Sequence, residues 1–293
     1  MAILTTKPID SDILWSRIAI RPPYFALDDL GLESDGTVSA RIPVQQPIGQ
    51  EHGQIAAAEV GRHLAILGVC AIALQQEDSN RRYYLAQKAH LAKHTQGLPC
   101  LNHGVLLGSA KPEYIDRRTA KANTQLLLAG NEVLYDLTVE YALVPERLFA
   151  RLFGNQRIPM MVRGEDGINP YSHSIPLVDV NISGTQLTGS LSVDSPDRCA
   201  GHFPEFPAIP VAILMQALCN ASSILMQQIL GVERLLYTVT EAQVRAANLA
   251  FADELISIEV EHIHRNGELH VLNCTARTKP DREVGYMELT IVV

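Results

Sequence analysis

Two stretches of the chain are apolar on almost every side. One runs from His52 as HGQIAAAEVGRHLAILGVCAIALQ, the other from Ile209 as IPVAILMQALCNASSILMQQILG. Each opens with a breaker, Gly53 or Pro210, and continues for about 20 residues rich in Ala, Leu, Ile and Met. That composition predicts helix, and the length exceeds an ordinary strand. Charges are so few that both helices are expected to be buried on most sides. Gly68 is read as a tight packing point and Gly231 as a C-terminal cap.

Around each helix the period changes to two. Ile256, Ile258 and Val260 alternate with Ser257, Glu259 and Glu261, then Asn266-Gly267 offers a hairpin turn before LHVLNCTAR. TQLLLAGNEVLYDLTVEY gives the same picture in the first half, with Gly130-Asn131 at the turn. DGTVSARIPV (35–44) and QLTGSLSVDS (186–195) predict a strand ahead of each helix. Each half therefore reads strand, long buried helix, antiparallel strands, and the chain reads as an internal repeat. Matching the two hairpins leaves 71 residues from Glu59 to Gly130 against 50 from Gln216 to Asn266. The surplus of about 20 residues is placed in a loop over TQGLPCLNHGVLLGSAKPEY (95–114). The polar stretch 154–172, with three Gly and two Pro, marks the joint between units 1–160 and 161–293.

Composition narrows the function. At 293 residues and 47% hydrophobic the chain can bury a core, which excludes disorder. The net charge of −8 argues against nucleic-acid binding, which needs clustered Lys and Arg. No uninterrupted apolar run is long enough to predict a membrane span, and MAILTTKPIDSDILW is too polar for a secretory leader. The scattered cysteines 70, 100, 199, 219 and 274 read as reduced thiols of a cytoplasmic chain. His90 and His94 have i, i+4 spacing and His262 and His264 share a strand face, but neither pair has a third ligand, so no metal site is expected.

The most informative string leads into the second helix: Gly201-His202-Phe203-Pro204-Glu205-Phe206-Pro207-Ala208-Ile209-Pro210. A GHFP string followed by proline and a helix resembles the hot-dog-fold 3-hydroxyacyl-thioester dehydratases of fatty-acid synthesis. The likeness spans most of 170–293. It implies an α+β double hot dog, two long central helices each wrapped by an antiparallel sheet, the two sheets joined into one. In that family a His from one unit works with an acid on the helix of its partner, fourteen residues after the partner's own His position. Here that position after His202 is Gln216. Aligning HGQIAAAEV with the family's helix-opening pattern puts Glu59 at the acidic position and Gln45 at the His position. The resemblance thus implies one composite site, His202 with Glu59, and one degenerate site, Gln45 with Gln216. Fused dehydratase domains of modular polyketide synthases are similar, with the two halves in the opposite order. They carry Gln or His four residues after the acid, a spacing His63 fits. Val211 stands at the family's oxyanion-donor glycine, and Glu205 replaces a second family glycine.

The chemistry suits these residue types. A neutral imidazole, His202, can take the C2 proton of a 3-hydroxyacyl thioester. The apolar helical setting of Glu59 favours a protonated carboxyl, which can supply the departing hydroxide with a proton. N–H groups at the start of the second helix can stabilise the thioester oxygen. The leading expectation is dehydration of an acyl-carrier-protein or CoA thioester to a trans-2-enoyl thioester, with no cofactor and with homodimers allowed. Two alternatives stand beside it. One is thioester hydrolysis with Glu59 activating water. The other is a non-catalytic acyl-binding or partner subunit, which the bulk of Val211 and the charge of Glu205 favour. The plain structural readings are a loop histidine bonded to backbone for His202 and an i, i+3 pair with Arg62 for Glu59.

Overall fold

The two apolar stretches are helices, and each is the hub of one half of the chain. The computed structural model describes residues 6–94, 105–128, 131–158, 169–193, 195–279 and 281–293. The first half contains β1 (Lys7–Pro8), α1 (Ser11–Ile18), β2 (Asp28–Leu32), β3 (Val38–Ile42) and α2 (Ala57–Gln75). It continues with β4 (Arg82–Lys93), β5 (Leu106–Ile115), β6 (Thr119–Leu127), β7 (Val133–Pro145) and α3 (Glu146–Phe153). The second half contains β8 (Leu177–Ser183), β9 (Gln186–Leu191), α4 (Val211–Leu230), β10 (Thr238–Arg245), β11 (Ile256–Asn266), β12 (Leu269–Thr278) and β13 (Arg282–Val292).

The described strands form one sheet in the order β1-β2-β3-β5-β6-β7-β4-β10-β13-β12-β11-β9-β8. Apart from β1, the order reads the same from either end once second-half strands replace their first-half equivalents. The two halves meet where β4 and β10 pair antiparallel, Lys88 opposite Arg245 through Ala92 opposite Glu241. Helix α2 packs over β3, β5, β6 and β7, helix α4 over β9, β11, β12 and β13, and the helices touch each other. Gly68 is the expected close approach: a Cβ there would lie 2.7 Å from the Tyr141 hydroxyl and 3.2 Å from Ala122. Gly231 caps α4 at φ +66°, its N–H bonded to the Gln227 carbonyl.

Three expectations change. The segment VLLGSAKPEY is mostly strand β5, bonded to both β3 and β6, and is no loop; residues 95–104 lie outside the described residues. The turn around Asn131 joins β6 to β7, whereas the Asn266-Gly267 turn joins β11 to β12, so the two hairpins are not equivalents. Measured from the helix starts, Ala57 to Thr119 spans 62 residues and Val211 to Leu269 spans 58, which removes the large insertion. The alternating pattern marks hairpins but carries no information about which one matches which. Finally, α2 and α4 are long and apolar enough to cross a bilayer (mean hydropathy 1.6 and 1.3), yet 78% and 67% of those windows are buried inside the fold. Gly130 and the expected joint at residue 160 fall outside the described residues.

An aromatic cluster ties the halves together. Tyr83 of β4 stacks on Phe149 of α3 with ring centres 3.7 Å apart. Phe203 and Phe206, on the loop before α4, meet both rings edge-on at 5.0–5.9 Å. All four rings are buried. Truncation by Phe206→Ala should lower stability by about 3–5 kcal/mol through the cavity it leaves, measured as a fall in the urea unfolding midpoint.

Candidate functional site

The loop carrying His202 is fixed before the imidazole is placed. Gly201 sits at φ +81°, and a Cβ there would lie 2.2 Å from the Arg21 carbonyl oxygen, so only glycine fits. The Arg21 N–H donates to the Gly201 carbonyl at 2.8 Å and the Phe203 N–H donates to the Ala19 carbonyl at 3.2 Å. These bonds lash the second-half loop to the first-half segment after α1. His202 Nδ1 lies 2.8 Å from the Ala208 carbonyl oxygen. A carbonyl only accepts, so Nδ1 carries the proton and Nε2 is left as an acceptor. The ring stacks on Phe203 at 4.0 Å and meets Tyr24 edge-on at 4.9 Å. Burial pushes the imidazole down to about 4, against the opposing pull of the Ala208 bond, so it is neutral at pH 7.

His202 faces a cavity of about 250 Å³ between the two helices and the central strands. Its walls are mainly apolar, including Ile66, Val69, Leu137, Val139, Val239, Met287 and Leu289. Tyr24, Tyr84, Tyr141, Cys219, Asn248 and Arg282 are among its polar members, and no carboxylate is among the described residues that line it. The N-termini of both helices open onto it through Ala57 and Ala58 of α2 and Val211 and Ala212 of α4. The two ends differ. Glu51 reaches up to accept the Ala57 N–H at 2.8 Å, capping the first amide of α2. Burial raises that carboxyl to about 7 despite this bond and the charge of Lys93. At α4 the capping position is Pro210, whose ring carries no hydrogen-bond acceptor for the helix amides. The Ile213 and Leu214 N–H groups both bond to the Pro210 carbonyl, and those of Val211 and Ala212 bond to none of the described residues.

Glu59 is fully buried but does not line this cavity. Its carboxylate accepts the backbone N–H groups of Gln45 at 2.7 Å and Gln46 at 3.2 Å. It also lies 3.4 Å from His63 Nε2 and 3.6 Å from Arg62 Nη2. Arg62 Nη2 donates to the Gln45 side-chain oxygen, while Nε and Nη1 find no partner among the described residues. The guanidinium instead lies 5.9 Å and 5.5 Å from the Tyr24 and Tyr171 ring centres. Burial pushes His63 down, with the Glu59 bond working against it. The acid, Arg62 and His63 thus hold the β3–α2 loop against the helix.

The physical reason is helix phase. Ala58, Gly61, Ala65 and Val69 face the cavity at helical spacing, and each further residue turns about 100° around the axis, so Glu59 points elsewhere. Matching the cavity-lining residues pairs Ala57 with Val211, Ala58 with Ala212, Gly61 with Met215 and Ala65 with Cys219. In that register the counterpart of Gln216 is Arg62, and Glu59 corresponds to Ile213. The expected degenerate pair is also shifted: Gln216 donates to the Gln46 side chain at 2.9 Å, while Gln45 serves Arg62. Of the expected site residues, His202 and Val211 share the cavity. Glu59, His63 and Gln45 form a separate network, which Gln216 reaches through the Gln46 side chain.

Tyr24, Glu51 and Arg62 did not emerge from the sequence as site residues. An acid shortly before a helix start is a capping signal that points to Glu51; Tyr24, in an irregular segment, carries no periodic signal. His90 and His94 lie at strand β4 and beside its end rather than on a helix, and pair with Glu241 and Asp136. No cluster of three potential metal ligands occurs among the described residues.

No family model and no curated protein matches the chain by sequence. Solved structures match it in shape. An acyl-ACP thioesterase from Bacteroides thetaiotaomicron superposes with a TM-score of 0.55 at 12% identity, covering 88% of this chain and 98% of its own. The 12:0-ACP thioesterase from Umbellularia californica gives 0.56 at 10% identity, covering 92% and 99%. A conserved protein from Alicyclobacillus acidocaldarius, described as having a hot dog fold, gives 0.54 at 10% identity, covering 91% and 95%. The fold is the hot-dog fold.

The site makes a pH prediction. Folding keeps the His202 imidazole neutral down to about 4, whereas an ordinary histidine protonates near 6.5. As pH falls through that window the unfolded chain gains the proton first, so stability drops. Wild type should lose more stability between pH 7 and pH 4 than His202→Gln in urea titrations, and the His202 imidazole NMR resonances should titrate near 4.

Proposed function

We propose that the protein hydrolyses an acyl thioester, the acyl chain lying in the apolar cavity and the carbonyl between His202 and the start of α4. One observation carries this reading: a neutral imidazole and two unclaimed helix N–H groups share an apolar cavity with no carboxylate in its described lining. In the proposed step His202 Nε2 takes a proton from water as the water oxygen attacks the carbonyl carbon. The carbonyl oxygen becomes an oxyanion, held by the N–H groups of Val211 and Ala212. Collapse re-forms the carbonyl and breaks the C–S bond, and the imidazolium returns its proton to the departing thiolate. An imidazolium with a depressed pKa gives that proton up readily.

Dehydration would need a second proton donor for the C3 hydroxyl. The residue expected for that task, Glu59, is engaged with two backbone N–H groups away from the cavity. The shape neighbours described as thioesterases support hydrolysis over dehydration. The two helix-and-sheet repeats are read as a pair of fused hot-dog units with a single working site.

The test follows thiol release and free acid from CoA and carrier-protein thioesters of graded chain length. His202→Gln should lower kcat by about 10²–10⁴-fold. Val211→Pro is the sharper probe, since proline is tolerated at the first helical position yet removes the N–H. It should cost about 10²–10³-fold in kcat while the helix persists by circular dichroism. Enoyl product without thiol release would establish dehydration instead, and tight binding without any product would establish a holding role.

A further inference from the structure

Helix α3 is divided lengthwise. Phe149 is buried and Phe153 half-buried, while Arg147, Leu148, Arg151 and Leu152 are all exposed. Their i, i+4 spacing puts two arginines and two leucines side by side on one outward stripe. Leu152 is 56% exposed, among the largest apolar exposures in the described chain. Neither Arg147 nor Arg151 makes an ion pair with the described residues, whereas Arg41, Arg81, Arg82, Arg157 and Arg282 each have an acidic partner. Two exposed arginines four residues apart, flanked by two exposed leucines, make a local basic and apolar stripe.

The position of the stripe is as informative as its composition. Phe153, the last residue of α3, lines the cavity, and its ring lies 5.7 Å from Phe251. Gln87, Ala247 and Asn248, also cavity-lining, are exposed, which marks where the cavity opens. Phe149 joins the aromatic cluster holding the His202 loop. The stripe is therefore continuous with the cavity wall and with the loop that carries the imidazole.

We propose that the Arg147, Leu148, Arg151 and Leu152 stripe docks an acidic, helical carrier protein that delivers the acyl group as its thioester. The inference rests on the hydrolase reading for its substrate and extends it to the carrier. Carboxylates of an acidic helix would pair with the arginines, and its apolar residues would cover the leucines. A membrane fits less well. The exposed stripe offers only two leucines because the other face of α3 is already buried, too little apolar surface to insert into a bilayer.

The experiment compares wild type with the double variant Arg147→Glu/Arg151→Glu, its fold checked by circular dichroism. Binding to an acyl carrier protein bearing an octanoyl group is measured by calorimetry at low and high salt, and turnover is measured on that carrier and on octanoyl-CoA. The double variant should lose about tenfold or more in carrier affinity and raise KM for the carrier thioester equally, with kcat and CoA turnover unchanged. Equal carrier binding by both proteins overturns the proposal, as does a loss confined to binding of phosphatidylglycerol vesicles, which would make the stripe a membrane face. Because calorimetry needs no turnover, absence of hydrolysis in both proteins would remove the hydrolase reading and leave the docking result to stand or fall by itself.

Discussion

The architecture depends on what β4 and β10 do at the centre of the sheet. They pair over five residues, Lys88–Ala92 against Arg245–Glu241, and this short antiparallel join makes one sheet of two halves. Beyond it a single bond, from the Ala246 N–H to the Gln87 carbonyl, closes the ladder before the chains part. Both strands contribute to the cavity wall, together with β7 and β13 beside them and the two helices above. A longer join would extend the sheet across the mouth, and a shorter one would give up backbone bonds that two half-sheets need. The site is thus a product of where pairing stops.

The strain of that arrangement is carried by the loop before α4. A glycine at positive φ and a phenylalanine at φ +54° sit on either side of His202. Such backbone persists only where surroundings over-determine it. Here they do: three backbone contacts to residues 19–21, the Ala208 carbonyl on Nδ1 and the aromatic cluster beneath. The imidazole is held from both halves of the chain at once, so its setting exists only when the halves are joined.

Much of this was legible in the residues. The two helices declared themselves by length and apolar content, and GHFP before a proline-led helix marked the loop that bears His202. What the pattern could not supply was phase. Period two in TQLLLAGNEVLYDLTVEY announces a hairpin without saying which of two successive hairpins it is. Likewise Glu59 sits one residue from Ala58, which faces the cavity, and that single step carries its carboxylate to the β3–α2 loop. A motif alignment anchored on Gly53 and Pro210 places the helix openings out of register, because α2 begins at Ala57, four residues after its breaker, and α4 begins immediately after its own. The i, i+3 pairing of Glu59 with Arg62 was legible, but its burial was not, since an arginine in a helix reads as surface until its neighbours are known.

The contrast between the two helix starts has a consequence for how the repeat behaves. Glu51 places a carboxylate on the first amide of α2, whereas α4 starts with the Val211 and Ala212 amides on the cavity that His202 shares. Two halves of matching topology therefore differ in chemistry at their helix starts, one carrying a carboxylate and the other an imidazole. Under the proposed hydrolase reading that difference gives the duplicated chain a direction, with the thioester carbonyl at the α4 end.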